Sequence, residues 1–483
     1  MLAIDKSASG FLYAQVIDLI DRRISSGELR PGDRLPSLRR LSAGLGVSVP
    51  TVKQAYLELE RRGSVESRPQ SGFYVQPQRR NALVRPLSAV EGFAQPAPVR
   101  CRSLIERVYE AIHRPDVVAF GIANPSMAQP AAKALHRTMK RVMARAETRS
   151  LSYAPTLGEP QLRRQIAYRY LDLGARITPD DVIITNGGQE ALAIALLSAA
   201  REGDMIAVES PTYHGMLELI ESCGMLAVEI ETCAEEGVSL GALAKALARH
   251  PIKACMFSSA LNNPLGSCTS DAHREALVGM LESRGIVLIE DDVYGDLLFD
   301  GTRPRLGLCY SRKGLVFTCG SFSKTVAPGY RIGWLVAGKH DERARRLKRA
   351  FSCSSGLLQQ MTLTEYLAGG DYDRYVKSLR QVLKRNAERM SALIGQYFPA
   401  ETRVSRPRGG SVLWIELPRR VDSQQLFDRA LEHSIAITPG LIYSPVKRFR
   451  NYVRLSYGHP WNERLEEGIA RLGVLATELA DTA

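Results

Sequence analysis

The sequence predicts an α/β protein made of a small, mainly helical front segment and a large body with a mainly parallel sheet. In residues 12–59, apolar residues recur at helical spacing in three runs, and two short β-prone runs follow. From about residue 101, helical patterns alternate with short β-branched runs, an order typical of a parallel sheet. A Pro-rich polar stretch without periodicity, residues 77–100, is the predicted linker between domains at 1–76 and 101–483.

The composition favours a cytoplasmic protein with no membrane partner. No apolar run approaches the ~20 residues of a membrane span. Asp5 and Lys6 occupy a position where a signal peptide would be basic and then apolar. The eight cysteines include no Cys-x-x-Cys pair, so we expect neither a disulfide framework nor a metal site.

The positive charge is concentrated at the front of the chain. The net charge is +13, and residues 1–80 hold 13 Lys and Arg against 8 Asp and Glu. Net positive charge per residue is therefore about threefold higher in this segment than in the rest. Nucleic-acid contact and an ordinary solvated basic surface both explain this excess, and charge by itself does not separate them.

The first two helices of the front segment are predicted from apolar spacing. Apolar residues recur at helical spacing from Leu12 to Ile24, and Gly27 ends that run. Ser37 is placed to cap a short second helix, which we expect Gly44 and Gly46 to break. That helix is expected to bury Leu38, Leu41 and Leu45.

The third predicted helix presents a polar face that suits nucleic acid. Ser48 can cap it, and Pro50 is tolerated in its first turn. Its other face carries the apolar stripe Val52, Ala55, Tyr56 and Leu59. The polar face offers side chains that can reach a major groove, namely Thr51, Lys53 and Gln54. After Gly63, a short hairpin over residues 65–75 is predicted.

The front segment resembles the winged helix-turn-helix of the GntR regulators. The matching stretches are Gly27-x-Leu29-x-Pro31-Gly32-x-x-Leu35-Pro36-Ser37-x-Arg39, Leu45-Gly46-Val47-Ser48-x-x-Thr51-Val52, and Ser71-Gly72-Phe73-x-Val75. The resemblance implies that the segment binds double-stranded DNA through Arg39, Ser48, Thr51, Lys53, Gln54 and Gly72. It departs at Val49-Pro50, where the family usually has an arginine after the serine, so one phosphate or base contact is expected to be missing. The plainer alternative is a helical packing module that binds no DNA.

In the body, a glycine turn and an aromatic residue follow two predicted strands. The strand Asp181–Thr185 passes through Asn186-Gly187-Gly188-Gln189 into a helix, and backbone N–H groups at such a helix start favour a phosphate. Tyr213 follows the next strand, where its ring can stack on a pyridine ring. Asn263 lies in an Asn-Pro turn and can donate to a ring oxygen. Each of these features, taken singly, also has an ordinary local explanation.

Two later strands of the body deliver a carboxylate and an arginine. The strand Gly285–Glu290 leads to Asp291, which can hold a pyridine nitrogen protonated, and Tyr294 follows three residues on. Near the C-terminus, the predicted strand Tyr452–Ser456 carries Arg454, whose guanidinium can grip a ligand carboxylate.

The richest motif is the run that surrounds Lys324. It follows the predicted strand Gly314–Cys319 and contains Ser321, Ser323 and, seven residues after the lysine, Arg331. A lysine amine can form a Schiff base, while hydroxyls and a guanidinium can hold a phosphate. This combination is what pyridoxal phosphate requires of a protein.

From about Cys101 to the C-terminus, this ordered set resembles the fold-type I, class I aminotransferases. The resemblance implies a large, mainly parallel-sheet domain with a smaller α+β domain, and pyridoxal 5′-phosphate as the cofactor. It gives Lys324 the role of the Schiff-base lysine and Asp291 that of the pyridine-nitrogen partner, so these two are the predicted catalytic residues.

The same resemblance assigns the remaining site residues. Tyr213 would stack on the cofactor ring, Asn263 and Tyr294 would hold its hydroxyl group, and Arg454 would bind the substrate carboxylate. The phosphate would be bound by Gly188, Gln189, Ser321, Ser323 and Arg331. Tyr153 matches a tyrosine that such enzymes lend across a dimer to the phosphate of the neighbouring subunit.

A GntR-type segment joined to such a body resembles the MocR subfamily of GntR regulators. This implies a transcription regulator that binds an operator as a head-to-tail homodimer and senses pyridoxal phosphate, an amine or amino acid, or both. The alternative is a working aminotransferase, converting an amino acid to a 2-oxo acid, that carries a DNA tether. A dimerising scaffold with a vestigial pocket is disfavoured, because Lys324 and Asp291 are both present.

Overall fold

The computed structural model describes residues 12–25, 28–29, 32–61, 64–68, 71–75, 84–86, 95–99, 102–127, 129–258 and 260–482. It contains two compact units, residues 1–82 with 392–400 and residues 83–391 with 401–483. Gly27, Pro31, Gly63, Cys101 and most of the predicted linker at 77–100 lie outside the described residues. The predicted domain limits at 76 and 101 therefore stay predictions.

The N-terminal unit holds three helices and a hairpin. These are α1 (Leu12–Ser25), α2 (Leu38–Leu45), α3 (Val49–Arg61), β1 (Val65–Arg68) and β2 (Gly72–Val75). The two strands pair antiparallel, with Val65 opposite Val75. The predicted stripe on α3 is buried against α1 and the hairpin, since Val52, Ala55 and Leu59 are each 0% exposed.

The short helix α2 differs from its prediction in two respects. Ser37 caps it, accepting a hydrogen bond from Arg40 N, but Gly44 lies inside the helix. The helix ends at Gly46, whose φ of 63° is a left-handed conformation that glycine adopts without strain. The three leucines predicted to be buried, Leu38, Leu41 and Leu45, are only half-buried. The eight-residue helix lies at the edge of a small core, so only one side of each leucine is covered.

The body opens with four elements, α4 (Arg102–Ile112), β3 (Val118–Ala119), α5 (Gln129–Ala146) and α6 (Pro160–Leu171). Its central part alternates strands and helices: β4 (Val182–Thr185), α7 (Gly188–Ala199), β5 (Met205–Ser210), α8 (His214–Ser222), β6 (Leu226–Cys233), β7 (Gly237–Val238), α9 (Leu240–Arg249), β8 (Ile252–Phe257), α10 (Asp271–Ser283), β9 (Val287–Asp291), β10 (Val316–Ser321) and β11 (Gly333–Val336). The remaining elements are α11 (Asp341–Ser352), α12 (Leu357–Ala368), α13 (Asp371–Tyr397), β12 (Arg403–Val404), β13 (Val412–Glu416), α14 (Ser423–Glu432), β14 (Ile435–Ala436), β15 (Thr438–Pro439), β16 (Tyr452–Ser456) and α15 (Glu463–Thr482).

The central sheet has eight strands in the order β4-β11-β10-β9-β8-β5-β6-β7. Strands β10, β9, β8, β5 and β6 are mutually parallel, whereas β11 runs antiparallel to both of its neighbours. The carboxyl ends of β4, β5, β8, β9 and β10 therefore meet at one edge of the sheet. Ligands of open α/β sheets bind at this edge, and every strand that precedes a predicted site motif, apart from β16, ends there.

A second sheet has the order β12-β13-β16-β15 and is antiparallel. Arg454, on β16, pairs with Trp414 on one side and with Thr438 on the other. The two sheets with their helices confirm the predicted α/β class. None of the helices in the described ranges combines the length and apolar character that a membrane crossing requires.

Candidate cofactor site and DNA-binding surface

A cavity of about 460 Å³ opens at the carboxyl edge of the parallel strands. Ten residues predicted to serve one site line it together, although they are spread over more than 140 positions of the chain: Gly188, Gln189, Tyr213, Asn263, Asp291, Tyr294, Ser321, Ser323, Lys324 and Arg331. Their order in the sequence thus becomes proximity in space.

Lys324 lies in this cavity with an amine that is easily deprotonated. Its Nζ donates a hydrogen bond to Asn124 Oδ1 and lies 5.7 Å from the ring centroid of Tyr294. Burial, with the nearby positive charges of Arg454 and Arg331, lowers the pKa of Lys324 to about 8. A neutral amine is the nucleophilic form, so the environment prepares Lys324 to attack a carbonyl carbon.

Asp291 stands at the end of β9 and is 7% exposed. Its Oδ1 accepts a hydrogen bond from Val293 N at 3.2 Å. Burial raises the pKa of Asp291 to about 6, although that hydrogen bond and the Lys324 amine oppose the shift. A buried carboxylate of this kind is stabilised by a cationic ligand atom, such as a protonated pyridine nitrogen.

Arg331 and the turn before α7 form one end of the cavity. Arg331 has φ 53° and ψ 47°, a left-handed conformation unusual for a side-chain-bearing residue. Its Nη2 donates to Asn186 O at 3.0 Å. Gly187, at φ 81°, makes this approach possible, because a Cβ there would collide with the guanidinium. Exposed N–H groups at the start of α7 and a guanidinium beside them are suited to a phosphate.

Hydroxyl groups complete the same end of the cavity. Ser321 Oγ lies 3.0 Å from Ser323 Oγ and also donates to Ile332 O at 3.2 Å. Gln189 uses its side chain structurally, since Nε2 donates to Gly215 O at 2.9 Å. Any phosphate contact of Gln189 would therefore come from its backbone N–H at the start of α7.

Tyr213 and Asn263 face the middle of the cavity. Gly215 allows the Tyr213 ring its position, because a Cβ at Gly215 would lie 2.5 Å from Tyr213 Cε1. Among the described residues, no partner is within hydrogen-bond distance of the buried Oδ1 of Asn263. A buried acceptor without a partner is costly, and a ligand with a donor group would satisfy it. Tyr294, also in the lining, directs its hydroxyl to Ala123 O at 3.3 Å.

Arg454 and Tyr153 do not line the cavity. Arg454 is 2% exposed, and its Nη2 donates to Gly121 O and, at 2.8 Å, to Thr438 Oγ1. Its charge still reaches Lys324, whose pKa it lowers. Tyr153 is 89% exposed, so its side chain serves no site within its own subunit. Both predicted roles, carboxylate binding and donation across a dimer, stay predictions.

Sequence reasoning missed six residues of the site, of which Leu192, Ser258 and Val293 only line the cavity. Tyr109 on α4 and Glu218 on α8 line the cavity, and Asn124 holds the Lys324 amine. Asn124 precedes a proline, as Asn263 does, and this shared Asn-Pro sequence is the signal that could have identified Asn124 as a site residue. Tyr109 and Glu218 lie on amphipathic helices, where an exposed polar side chain is ordinary.

The residues present fit pyridoxal phosphate. The cavity joins an activated amine, a carboxylate, an aromatic ring, an unsatisfied acceptor and a group of N–H, hydroxyl and guanidinium donors. Each matches one functional group of that cofactor: aldehyde, pyridine nitrogen, ring, hydroxyl and phosphate.

In the N-terminal unit, the candidate DNA contacts lie on α2, α3 and the hairpin. Ser48 caps α3 and accepts a hydrogen bond from Thr51 N at 3.2 Å. Arg39, Lys53 and Gln54 are exposed. Gly72 has φ 106° at the start of β2 and lies beside the Arg34 side chain. The unit therefore presents polar side chains and one lysine on its third helix, as expected of a winged helix.

Two protein families match this chain, one in the front segment and one in the body. Residues 12–75 match the gntR family of bacterial regulatory proteins, and residues 115–472 match aminotransferase class I and II. YjiR of Escherichia coli, named an HTH-type transcriptional regulator, is 34% identical over 461 residues, covering 95% of this chain and 98% of YjiR. YdcR of the same organism, also so named, is 35% identical over 466 residues, covering 96% and 99%.

Two enzymes match about four-fifths of the chain. The 2-aminoadipate transaminase of Thermus thermophilus is 32% identical over 400 residues, covering 81% of this chain and 98% of the enzyme. The crystal structure of LysN, an α-aminoadipate aminotransferase of the same species complexed with N-(5′-phosphopyridoxyl)-L-leucine, superposes with a TM-score of 0.71 at 27% identity, covering 80% of this chain and 100% of LysN. Together with the winged helix at its front, these matches confirm both resemblances: the chain belongs to the aminotransferase class I and II family and carries a GntR DNA-binding domain, the architecture of the MocR-type regulators.

Proposed function

We propose that this protein is a transcription regulator whose DNA binding is governed by pyridoxal phosphate and an amino compound held in its body. One observation carries the proposal. A cavity lined by Lys324, Asp291 and Arg331 belongs to a chain that also carries a GntR-type DNA-binding domain. Two relatives that share nearly the whole length are named transcriptional regulators, which supports the same conclusion.

Pyridoxal phosphate is the cofactor of this site. When bound, it supplies a reactive aldehyde and an electron-withdrawing ring. Lys324 provides the amine that holds the aldehyde, and Asp291 the anion that faces the pyridine nitrogen. Arg331, Ser321, Ser323 and the N–H groups at the start of α7 provide the phosphate site, to which Tyr153 of a second subunit would add its hydroxyl.

The effector is an amino compound, because an amine can take the place of Lys324 on the cofactor aldehyde, releasing the lysine as a free amine. Arg454 is the candidate partner for an effector carboxylate, since its buried Nε has no hydrogen-bond partner among the described residues and a guanidinium can hold a carboxylate through two hydrogen bonds. Releasing Lys324 changes both the charge and the covalent state of the cavity. Such a change can bias a two-state element and so reach the DNA-binding domain.

A homodimer, head to tail, is the proposed working form. Tyr153 is 89% exposed, so its side chain is free to reach a neighbouring subunit. A winged helix makes few base contacts by itself, and joining two of them raises affinity through effective concentration. This dimer would bind its operator, a double-stranded DNA target with two half-sites, in the cytoplasm.

The test is a gel-shift titration of the full chain against the DNA upstream of its own gene. It is run without cofactor, with pyridoxal phosphate, and with pyridoxal phosphate plus a panel of amino acids. The proposal expects a retarded band whose midpoint changes between these states. If no state gives a retarded band, the proposal is wrong.

A second candidate is an aminotransferase that acts on free amino acids. It is favoured by the joint presence of Lys324, Asp291 and Arg454, and by the 32% identity to an enzyme named 2-aminoadipate transaminase. Mixing the cofactor-loaded protein with each amino acid and then with a 2-oxo acid decides the matter. Formation of the new 2-oxo acid over many turnovers would establish an enzyme, and a single stoichiometric event or none would favour the regulator.

A further inference from the structure

One lining residue of the cavity carries a charge that the cofactor does not need. Arg331 serves the phosphate, Asp291 the ring nitrogen and Lys324 the aldehyde. Leu192 and Val293 are apolar, and the remaining charged residue of the lining is Glu218. This carboxylate therefore faces whatever binds beside the cofactor.

The Glu218 carboxylate is open to the cavity. It lies on α8, one turn after His214, and its Oε2 is 3.5 Å from His214 Nδ1. Burial lowers the pKa of His214, so the imidazole is neutral near pH 7 and orients the carboxylate without cancelling its charge. No Lys or Arg of the described residues forms an ion pair with Glu218, whose side chain is 37% exposed.

Aromatic rings surround the same part of the cavity. Tyr109, on α4, is 40% exposed, and it lines the cavity together with Tyr213. The ring centroids of Tyr109 and His214 lie 5.7 Å apart, and those of Tyr213 and His214 lie 4.7 Å apart. Electron-rich ring faces next to a carboxylate attract a cation and disfavour an anion.

We propose that the effector carries a second positive charge, which Glu218 and Tyr109 recognise. Effectors of this class are diamino acids and related diamines. This inference rests on the proposed function: the first amine meets the cofactor at Lys324, any carboxylate meets Arg454, and the second amine extends toward Glu218. An effector whose side chain ends in a carboxylate would meet like charge at the same place.

The probes are three amino acids of similar length that differ in the end of the side chain: L-lysine, L-norleucine, which lacks the second amine, and L-2-aminoadipate, which ends in a carboxylate. Dissociation constants are measured on the full chain loaded with pyridoxal phosphate, from the change in its visible absorption and from calorimetry. We expect L-lysine to bind roughly five- to tenfold more tightly than L-norleucine, the range for a half-exposed charge pair with aromatic support. L-2-Aminoadipate should bind most weakly.

Variants of Glu218 test whether its carboxylate causes the preference for L-lysine over L-norleucine. Glu218→Gln should bring the ratio of L-lysine to L-norleucine affinity close to one, and Glu218→Lys should make L-2-aminoadipate the best of the three. Glu221→Gln is the matched control, because Glu221 lies exposed on the same helix and does not line the cavity. It should leave the ratio unchanged.

The outcomes separate this inference from the proposed function. Equal affinity of the wild type for L-lysine and L-norleucine, or a ratio that survives Glu218→Gln, overturns the inference while amino-compound binding stands. If none of a wider panel of amino acids changes the visible absorption, the proposed function itself fails.

Discussion

Lys348 Nζ lies 2.9 Å from Glu190 Oε2 in a largely buried pair next to the glycine turn of the cofactor site. The same amine donates to Ser352 Oγ at 2.7 Å and Ser355 Oγ at 3.0 Å, and Lys348 is 0% exposed. Glu190 Oε2 also accepts a hydrogen bond from Asn186 N. Since Asn186 O accepts from Arg331, the pair positions both sides of the phosphate end.

We predict that Lys348→Met weakens pyridoxal phosphate binding about tenfold, although Lys348 does not line the cavity. The substitution leaves the Glu190 carboxylate buried without its cation, and a buried uncompensated charge is strongly destabilising. Glu190 would turn toward water and release Asn186. A titration of visible absorption against cofactor concentration measures the effect.

Two further variants test whether the ion pair is the reason. Lys348→Met combined with Glu190→Gln should recover most of the affinity, because the amide keeps an acceptor for Asn186 N–H without a charge. Lys339→Met, at an exposed lysine, should bind cofactor normally. An affinity that stays low in the double variant would show that Lys348 acts by packing and not through Glu190.

The second prediction concerns the pH dependence of cofactor capture. The neutral form of Lys324 attacks the aldehyde, and burial with the Arg454 charge lowers its pKa to about 8. The capture rate of cofactor-free protein should therefore rise with pH, pass its midpoint near 8 and level above it. Arg454→Gln removes a positive charge and should move the midpoint upward. Stopped-flow absorbance measures both, and a wild-type midpoint near the ordinary lysine value would contradict the assignment.

The third prediction is that Arg39→Ala weakens DNA binding and flattens its salt dependence. Arg39 is exposed on α2, and one phosphate contact contributes about one unit to the slope of log affinity against log salt. Arg22→Ala, on the exposed face of α1, is the control. Fluorescence anisotropy at several salt concentrations measures the slopes, and an unchanged slope for Arg39→Ala would exclude a phosphate contact.

The fourth prediction uses the departure at Val49. This residue is 39% exposed in the first turn of α3, where the GntR family usually has an arginine. Val49→Arg should strengthen DNA binding several-fold and steepen the salt slope if the new guanidinium meets a phosphate. Val49→Gln, which is polar and uncharged, should leave the slope alone. Equal effects of the two substitutions would argue against a charge contact.

Local patterns predicted the α/β class, and ten of the predicted cofactor-site residues line one cavity. Strands β4, β5, β9 and β10 each precede a short polar motif, and parallel strands bring such motifs to one edge whatever the loop lengths. This topology explains why Gly188, Tyr213, Asp291 and Lys324 line one cavity, although the sequence analysis grouped them through the family resemblance. Residues close to them in the sequence, such as Gln189, Tyr294 and Ser323, line the same cavity.

Residues that reach the site from outside this edge were not predictable. Asn124 is 200 positions from Lys324 in the sequence, and only the packed body brings them together. Tyr109 and Glu218 look like ordinary helix-surface residues until α4 and α8 pack beside the cavity. The prediction that the α2 leucines are buried was wrong for a related reason. Helical spacing identifies an apolar face but not how much of the core covers it.

The central claim is that the state of Lys324 governs DNA binding, and one titration tests it most directly. Pyridoxal phosphate is added to the full chain and labelled upstream DNA while visible absorption and anisotropy are recorded together, for the wild type and for Lys324→Ala. We predict that wild-type DNA affinity changes over the same cofactor range in which the absorption grows, and that Lys324→Ala, folded by circular dichroism, shows neither change. Identical DNA-binding curves for the two proteins at every cofactor concentration would contradict the claim.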